Sequence, residues 1–156
     1  PNYGSIQKLK TRDTNLIAFC EDKVLKIVAN KDALYNADGQ PQLIASNKVL
    51  GTTTSFAGEF GISKNPESFA SESFRMYFTD KQRGKVLRLS QDGITPISDM
   101  GMQDWFADNM QNYYYLIGSF DDRKKEYNLT LDVENSYIPP DNWNPKQPQN
   151  KTSTTN

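Results

Sequence analysis

Short apolar runs broken by polar pairs dominate the pattern of this chain, and most of them read as strands. Leu16-Ile17-Ala18-Phe19-Cys20 and Lys23-Val24-Leu25-Lys26-Ile27-Val28 flank the polar pair Glu21-Asp22, which predicts a hairpin. Lys23 and Lys26 interrupt the second run, as suits strands buried on one face and partly wet on the other. Asp38-Gly39 suits a turn with positive φ and precedes Leu43-Ile44-Ala45, a third predicted strand. Further on, Phe74 to Thr79, Lys85 to Ser90 and Ile94 to Ser98 alternate with turns at Asp80 to Gly84 and Asp92-Gly93, which predicts a meander. Tyr113 to Phe120 and Glu126 to Asp132, joined by Asp121 to Lys125, predict another hairpin.

Three stretches depart from this pattern. Residues 51–73 lose periodicity and fill with Gly, Ser, Thr and Asn, but keep Phe56, Phe60, Ile62 and Phe69, which predicts a long loop anchored onto a surface. Asp99 is placed to cap a short helix over Gly101 to Met110, whose Met102, Trp105, Phe106 and Met110 recur at helical spacing and read as a core-facing stripe. After Tyr137 come Pro139, Pro140, Pro145 and Pro148 among polar residues, little of which can bury. The expected organisation is therefore a β-rich segment over 1–138 and an extended or disordered tail over 139–156, docked through Trp143.

An internal repeat shapes the fold prediction. Phe78-Thr79-Asp80-Lys81-Gln82-Arg83-Gly84-Lys85-Val86-Leu87-Arg88-Leu89 lies over Phe120-Asp121-Asp122-Arg123-Lys124-Lys125-Glu126-Tyr127-Asn128-Leu129-Thr130-Leu131 at an offset of 42 residues. The phrase Asp22-Lys23-Val24-Leu25-Lys26-Ile27 echoes Lys85 to Leu89, and Asp38-Gly39 before Leu43-Ile44 echoes Asp92-Gly93 before Ile94. A period of about 40 to 45 residues with roughly four strands per unit is that of a β-propeller blade. The expected class is all-β: two to three propeller-like antiparallel blades in an incomplete ring, one short helix and an extended C-terminal arm. One blade cannot cover its own apolar faces, so neighbours must stack on it.

Composition narrows the chemistry. The 156 residues contain no histidine and one cysteine, Cys20, which removes His-dependent nucleophilic catalysis, an intrachain disulfide and a thiolate metal cluster. The apolar neighbours of Cys20 make it a buried small residue. With 18 Lys and Arg against 19 Asp and Glu, no global charge draws the chain to nucleic acid or membrane, and no apolar run reaches the ~20 residues of a membrane span. Asp80, Asp121, Asp122, Asp132 and Glu134 read as turn residues in preference to paired catalytic acids or calcium ligands, since Arg123-Lys124-Lys125 sits where a calcium loop needs oxygen donors. The same cations near Tyr113, Tyr114, Tyr115 and Tyr127 mimic a nucleic-acid patch, but adjacent acids neutralise them and consecutive strand residues face opposite ways. Gly58 and Gly61 do not form a phosphate loop, and Asn128-Leu129-Thr130 and Asn150-Lys151-Thr152 match the glycosylation triplet by composition alone. No catalytic, cofactor-binding or metal-ligating residue is assigned, and no enzyme activity is expected. Pro1 in place of an initiator methionine suggests a section of a longer polypeptide.

Phe74-Arg75-Met76-Tyr77-Phe78-Thr79-Asp80-Lys81-Gln82-Arg83-Gly84-Lys85-Val86-Leu87-Arg88-Leu89-Ser90-Gln91-Asp92-Gly93-Ile94-Thr95-Pro96-Ile97-Ser98, followed by Trp105-Phe106, resembles the muzzle, or tail stabilisation, proteins of the crAss-like short-tailed phages. Ile117 to Leu131 is similar to a second phrase of that family, and Lys64-Asn65-Pro66-Glu67-Ser68-Phe69-Ala70 to a third; the likeness spans most of Leu16 to Tyr137. The resemblance implies a structural part of the virion tail: a propeller-like nozzle built as a ring of copies, beneath the portal region and tail hub and near the fibres, around the channel of genome ejection. DNA would pass transiently, without specific binding. Members are much longer, which again implies a fragment. The competing expectation is a carbohydrate- or protein-binding module for host recognition, using Trp105, Trp143 or Tyr113 to Tyr115.

Overall fold

The computed structural model describes residues 2–28, 34–35, 41–42 and 50–132. It is built from strands β1 (Ile6–Arg12), β2 (Asn15–Cys20), β3 (Val24–Val28), β4 (Leu34–Tyr35), β5 (Pro41–Gln42), β6 (Thr53–Ser55), β7 (Ala70–Ser71), β8 (Met76–Asp80), β9 (Lys85–Ser90), β10 (Gly93–Pro96), β11 (Tyr115–Asp121) and β12 (Glu126–Asp132), with one helix, α1 (Gln103–Asn109). Every pairing is antiparallel. The first sheet runs β1-β2-β3-β6, the second β10-β9-β8-β7, and β11-β12 and β4-β5 form two-stranded sheets. Among the described residues the fold is all-β with one short helix, and they close no barrel or propeller.

Three layers stack. Ile17, Phe19 and Val24 of the first sheet meet Met76, Phe78, Leu87 and Leu89 of the second, with Ile62 between, to form the larger core. Phe19 packs edge-on to both Phe78, at 5.1 Å, and Phe69, at 5.2 Å. The opposite face of the second sheet carries Tyr77 and Val86 against the β11-β12 hairpin, where Leu116, Met110, Tyr127, Leu129 and Leu131 form a second core. Tyr77 stacks on Phe120 at 5.4 Å and on Tyr127 at 5.3 Å. All five residues of β8 are buried, because this strand has a sheet on either side.

The turns between paired strands explain the repeat and correct its offset. Gly84 (φ 60°) and Lys125 (φ 59°) occupy the same left-handed position before β9 and β12, which sets the structural offset at 41 residues, not 42. The aromatic match of Phe78 with Phe120 is one residue out of step. Phe78 lies in the first core while Phe120 stacks across the second, as expected when a strand slips by one position and presents its other face.

Other sequence expectations shift at their ends. β8 begins at Met76, leaving Phe74 exposed; β10 spans Gly93–Pro96, and residues 97–99 form a 3₁₀ turn. Helix α1 is shorter than predicted, its N-cap is Met102 without a side-chain cap bond, and Asp99 instead bonds Lys85 at 2.6 Å. Of the apolar stripe, Met110 is buried and Phe106 packs on the second core, but Met102 and Trp105 are exposed. Within 51–73 the structure forms β6, a 3₁₀ turn at Pro66–Ser68 and β7, while Phe56, Phe60, Ile62 and Phe69 pack on the larger core. β1, rich in Lys and Arg, had no apolar alternation to announce it; it forms as an edge strand by pairing with β2. The turn at Asp38-Gly39, the strand at Leu43-Ile44-Ala45, Glu134, Trp143 and the tail 139–156 lie outside the described residues.

Candidate functional site

Asp80 ends β8 and its side chain is completely buried. One carboxylate oxygen, Oδ2, accepts from the Gly61 amide at 3.1 Å and from Arg83 Nη1 at 2.9 Å; the other, Oδ1, accepts from Ser63 Oγ at 3.2 Å and the Arg83 amide at 3.1 Å. The loop that donates to Asp80 is itself tied to the first hairpin, since Ile62 and Ser63 amides donate to the Cys20 and Glu21 carbonyls, both at 3.0 Å. Gly61 is required there: a Cβ would stand 2.0 Å from the Glu21 carbonyl oxygen. Asp80 thus fastens the first sheet to the turn between β8 and β9. It is more than the turn residue that sequence suggests, because a buried carboxylate persists only with donors arranged around it.

Beside this clamp, the loop at 63–67, the turn at 81–82 and the entry to β11 border an open groove of about 640 Å³. Its rim carries Lys64, Lys81, Asn65, Gln82, Gln111, Tyr114 and Tyr115. The two tyrosine rings sit edge to face at 4.6 Å, both exposed, and Gln111 Nε2 donates to the Gln82 carbonyl at 3.0 Å. Exposed rings beside amides and cations can bind polar, ring-bearing or anionic groups.

The structure separates the other candidates. Tyr113 turns into the second core, so only two members of the tyrosine run reach the groove. Tyr127 is half-buried, its hydroxyl donates to the Ser68 carbonyl at 2.6 Å, and desolvation pushes its pKa well above the usual phenol range. Arg123, Lys124 and Lys125 lie at the far end of the hairpin from Tyr115, whose partner is Asp132. Asp121 acts as a turn acid, accepting from the Arg123 and Lys124 amides at 2.8 and 3.1 Å. Trp105 stands on α1, edge-on to Phe106 at 5.1 Å and outside the groove. Cys20 is buried, which raises its thiol pKa. Among the described residues no three His, Cys, Asp or Glu side chains cluster as metal ligands, and no helix is long and apolar enough to cross a membrane. Lys64, Lys81, Gln82 and Gln111 were missed in the sequence, where no local pattern joins them; they converge from three separate loops.

The N-terminal strand is held by a surface carboxylate. Glu21 accepts from the Ser5 amide at 3.2 Å and from Ser5 Oγ, and these bonds hold its carboxyl below the ordinary value of 4.5. A folded-state pKa below the unfolded one gives a contribution that is complete above the unfolded value and is lost as pH falls through the folded one. Acidification below about pH 4.5 is therefore expected to free the start of β1 first. Amide exchange at Ser5 measured against pH checks this: protection there should fall while that of Leu87 in β9 persists, and equal loss at both would contradict it.

No curated protein matches the chain. The family model described as Crassvirus muzzle protein matches residues 1–137, which include both four-stranded sheets, the β11-β12 hairpin, the Asp80 clamp and the groove. The chain belongs to the crassvirus muzzle protein family.

Proposed function

We propose that this chain is a blade-like segment of a tail nozzle that packs with copies of itself in a ring and shapes and seals the genome-ejection channel. Family membership makes it a structural component of the phage virion tail. The observation that carries the finer reading is the stack. The second sheet is covered on both faces, whereas the outermost layers leave Ile6 and Leu9 on one side and Tyr115 and Ile117 on the other in solvent. Stacked antiparallel sheets whose end layers leave large apolar side chains in solvent are units that neighbouring copies can cover. In this reading no residue acts on a substrate, DNA passes without specific contacts, and the tail hub, portal region and fibres are the neighbouring proteins.

Electron microscopy of intact particles tests the proposal. Density for this chain should form a ring at the distal end of the tail; density inside the capsid, or none in virions, would overturn it. The groove supports a second reading, host-glycan recognition. Under that reading a glycan array shows binding that Tyr114→Ala abolishes without unfolding the chain, and under the nozzle reading the array stays blank.

A further inference from the structure

We infer that the outer edge of β12 accepts strand β1 from a second copy of this chain, an interface that rests on the ring reading and gives it a contact. Three observations converge on this edge. First, the hairpin sheet stops at β12: among the described residues no strand pairs with its outer side, while the other two stacked sheets each have four strands. Among the described residues, every second backbone N–H and C=O of this seven-residue strand has no ladder partner. Second, this edge borders an apolar cleft of about 240 Å³ between the hairpin and the second sheet, walled by Val86, Ile97, Met102, Phe106, Tyr127 and Leu129. Ile97, Met102 and Phe106 come from the segment over β9 that leads into α1, so the cleft runs between that segment and β12.

Third, β1 matches this edge in length, charge and alternation. It is also an edge strand of seven residues, carrying Lys8, Lys10 and Arg12 and no acid; β12 carries Glu126 and Asp132 and no cation. The cations share one face of β1, since Lys8 lies over the Phe69 ring and Arg12 donates to the Ser90 carbonyl. Leu9 takes the opposite face and is exposed. On β12, Glu126, Asn128, Thr130 and Asp132 face outward and Tyr127 and Leu129 face the cleft. Antiparallel pairing therefore sets Arg12 beside Glu126, Lys10 beside Asn128 and Lys8 beside Thr130, with Asp132 in diagonal reach of Lys8. The same alternation puts Leu9 beside Leu129, over the cleft. One register satisfies both faces, which a mismatched strand cannot do.

Pairing β12 of each copy with β1 of the next is head-to-tail, the arrangement that generates rings when the rotation closes.

Cross-linking tests the contact with the full chain. Lys8→Cys and Thr130→Cys alter exposed positions on opposite partners, and Cys20 is buried away from the reagent. Mixed in equal amounts with a short bismaleimide, the two variants should give a covalent dimer containing one of each. A mixture of Thr130→Cys with Ser55→Cys, which marks the far edge of the first sheet, should remain uncoupled. Sedimentation of the unmodified chain separates the possible failures. Assembly without the Lys8–Thr130 cross-link, or Thr130→Cys coupling to itself or to Ser55→Cys, overturns this interface and leaves the ring standing; a monomer at every concentration overturns both.

Discussion

Asp80→Ala is expected to cost about 3 kcal/mol or more of folding stability, because the substitution strips a buried carboxylate from four donors at once. The Gly61 amide and Ser63 hydroxyl lose their acceptor inside the protein, where water does not replace it, and each buried group left unpaired costs about 1–3 kcal/mol. The ion pair itself contributes less, since Arg83 is partly exposed and solvent screens it. Arg83→Ala should accordingly cost less than Asp80→Ala, and Asp80→Asn, which keeps the shape and one acceptor oxygen, should fall between them. Urea denaturation of the three variants measures the order. A loss below about 1 kcal/mol for Asp80→Ala would mean that the loop at 61–63 is held by its bonds to Cys20 and Glu21 alone.

Phe78→Ala is expected to cost about 3–5 kcal/mol, while Phe74→Ala, four residues earlier in the same predicted strand, should stay within about 0.5 kcal/mol. The two rings differ only in what the tertiary structure puts over them. Phe78 has no exposed surface and packs edge-on against Phe19 of the first sheet, so truncation opens a cavity between two sheets that cannot collapse without sliding. Phe74 precedes β8 and is 74% exposed. Thermal unfolding of both variants checks the contrast, and a comparable fall in stability for Phe74→Ala would show that its ring is covered in solution by a neighbouring molecule.

Much of the β architecture was legible because hairpins announce themselves locally. Glu126 to Asp132 alternates cleanly and Lys85 to Ser90 is a short apolar run, each beginning after a polar turn, and their predicted limits agree with β12 and β9. Edge strands gave no such signal. β1 and β6 are polar along most of their length, and backbone pairing to a neighbour holds them in place of burial. The helix shows the limit of periodicity: Met102, Trp105, Phe106 and Met110 share a spacing that fits one face, yet α1 covers only the margin of the second core and leaves Met102 and Trp105 exposed. The groove was legible only as its tyrosines, since Lys64, Lys81 and Gln111 belong to loops distant in sequence.

By itself the sequence determined the all-β class, the family, the hairpin turns and the absence of histidine and paired cysteine chemistry, all of which depend on residue type and on neighbours a few positions away. Only the tertiary structure decided that Asp80 is a buried fastener, that Phe78 lies in the larger core while Phe120 stacks on Tyr77 at the opposite face of the second sheet, and that among the described residues β12 is the last strand of its sheet, beside an apolar cleft. The reason is physical. A strand's alternation states that it has two faces, but which face is covered, and by what, is settled by sheets that meet across long stretches of chain.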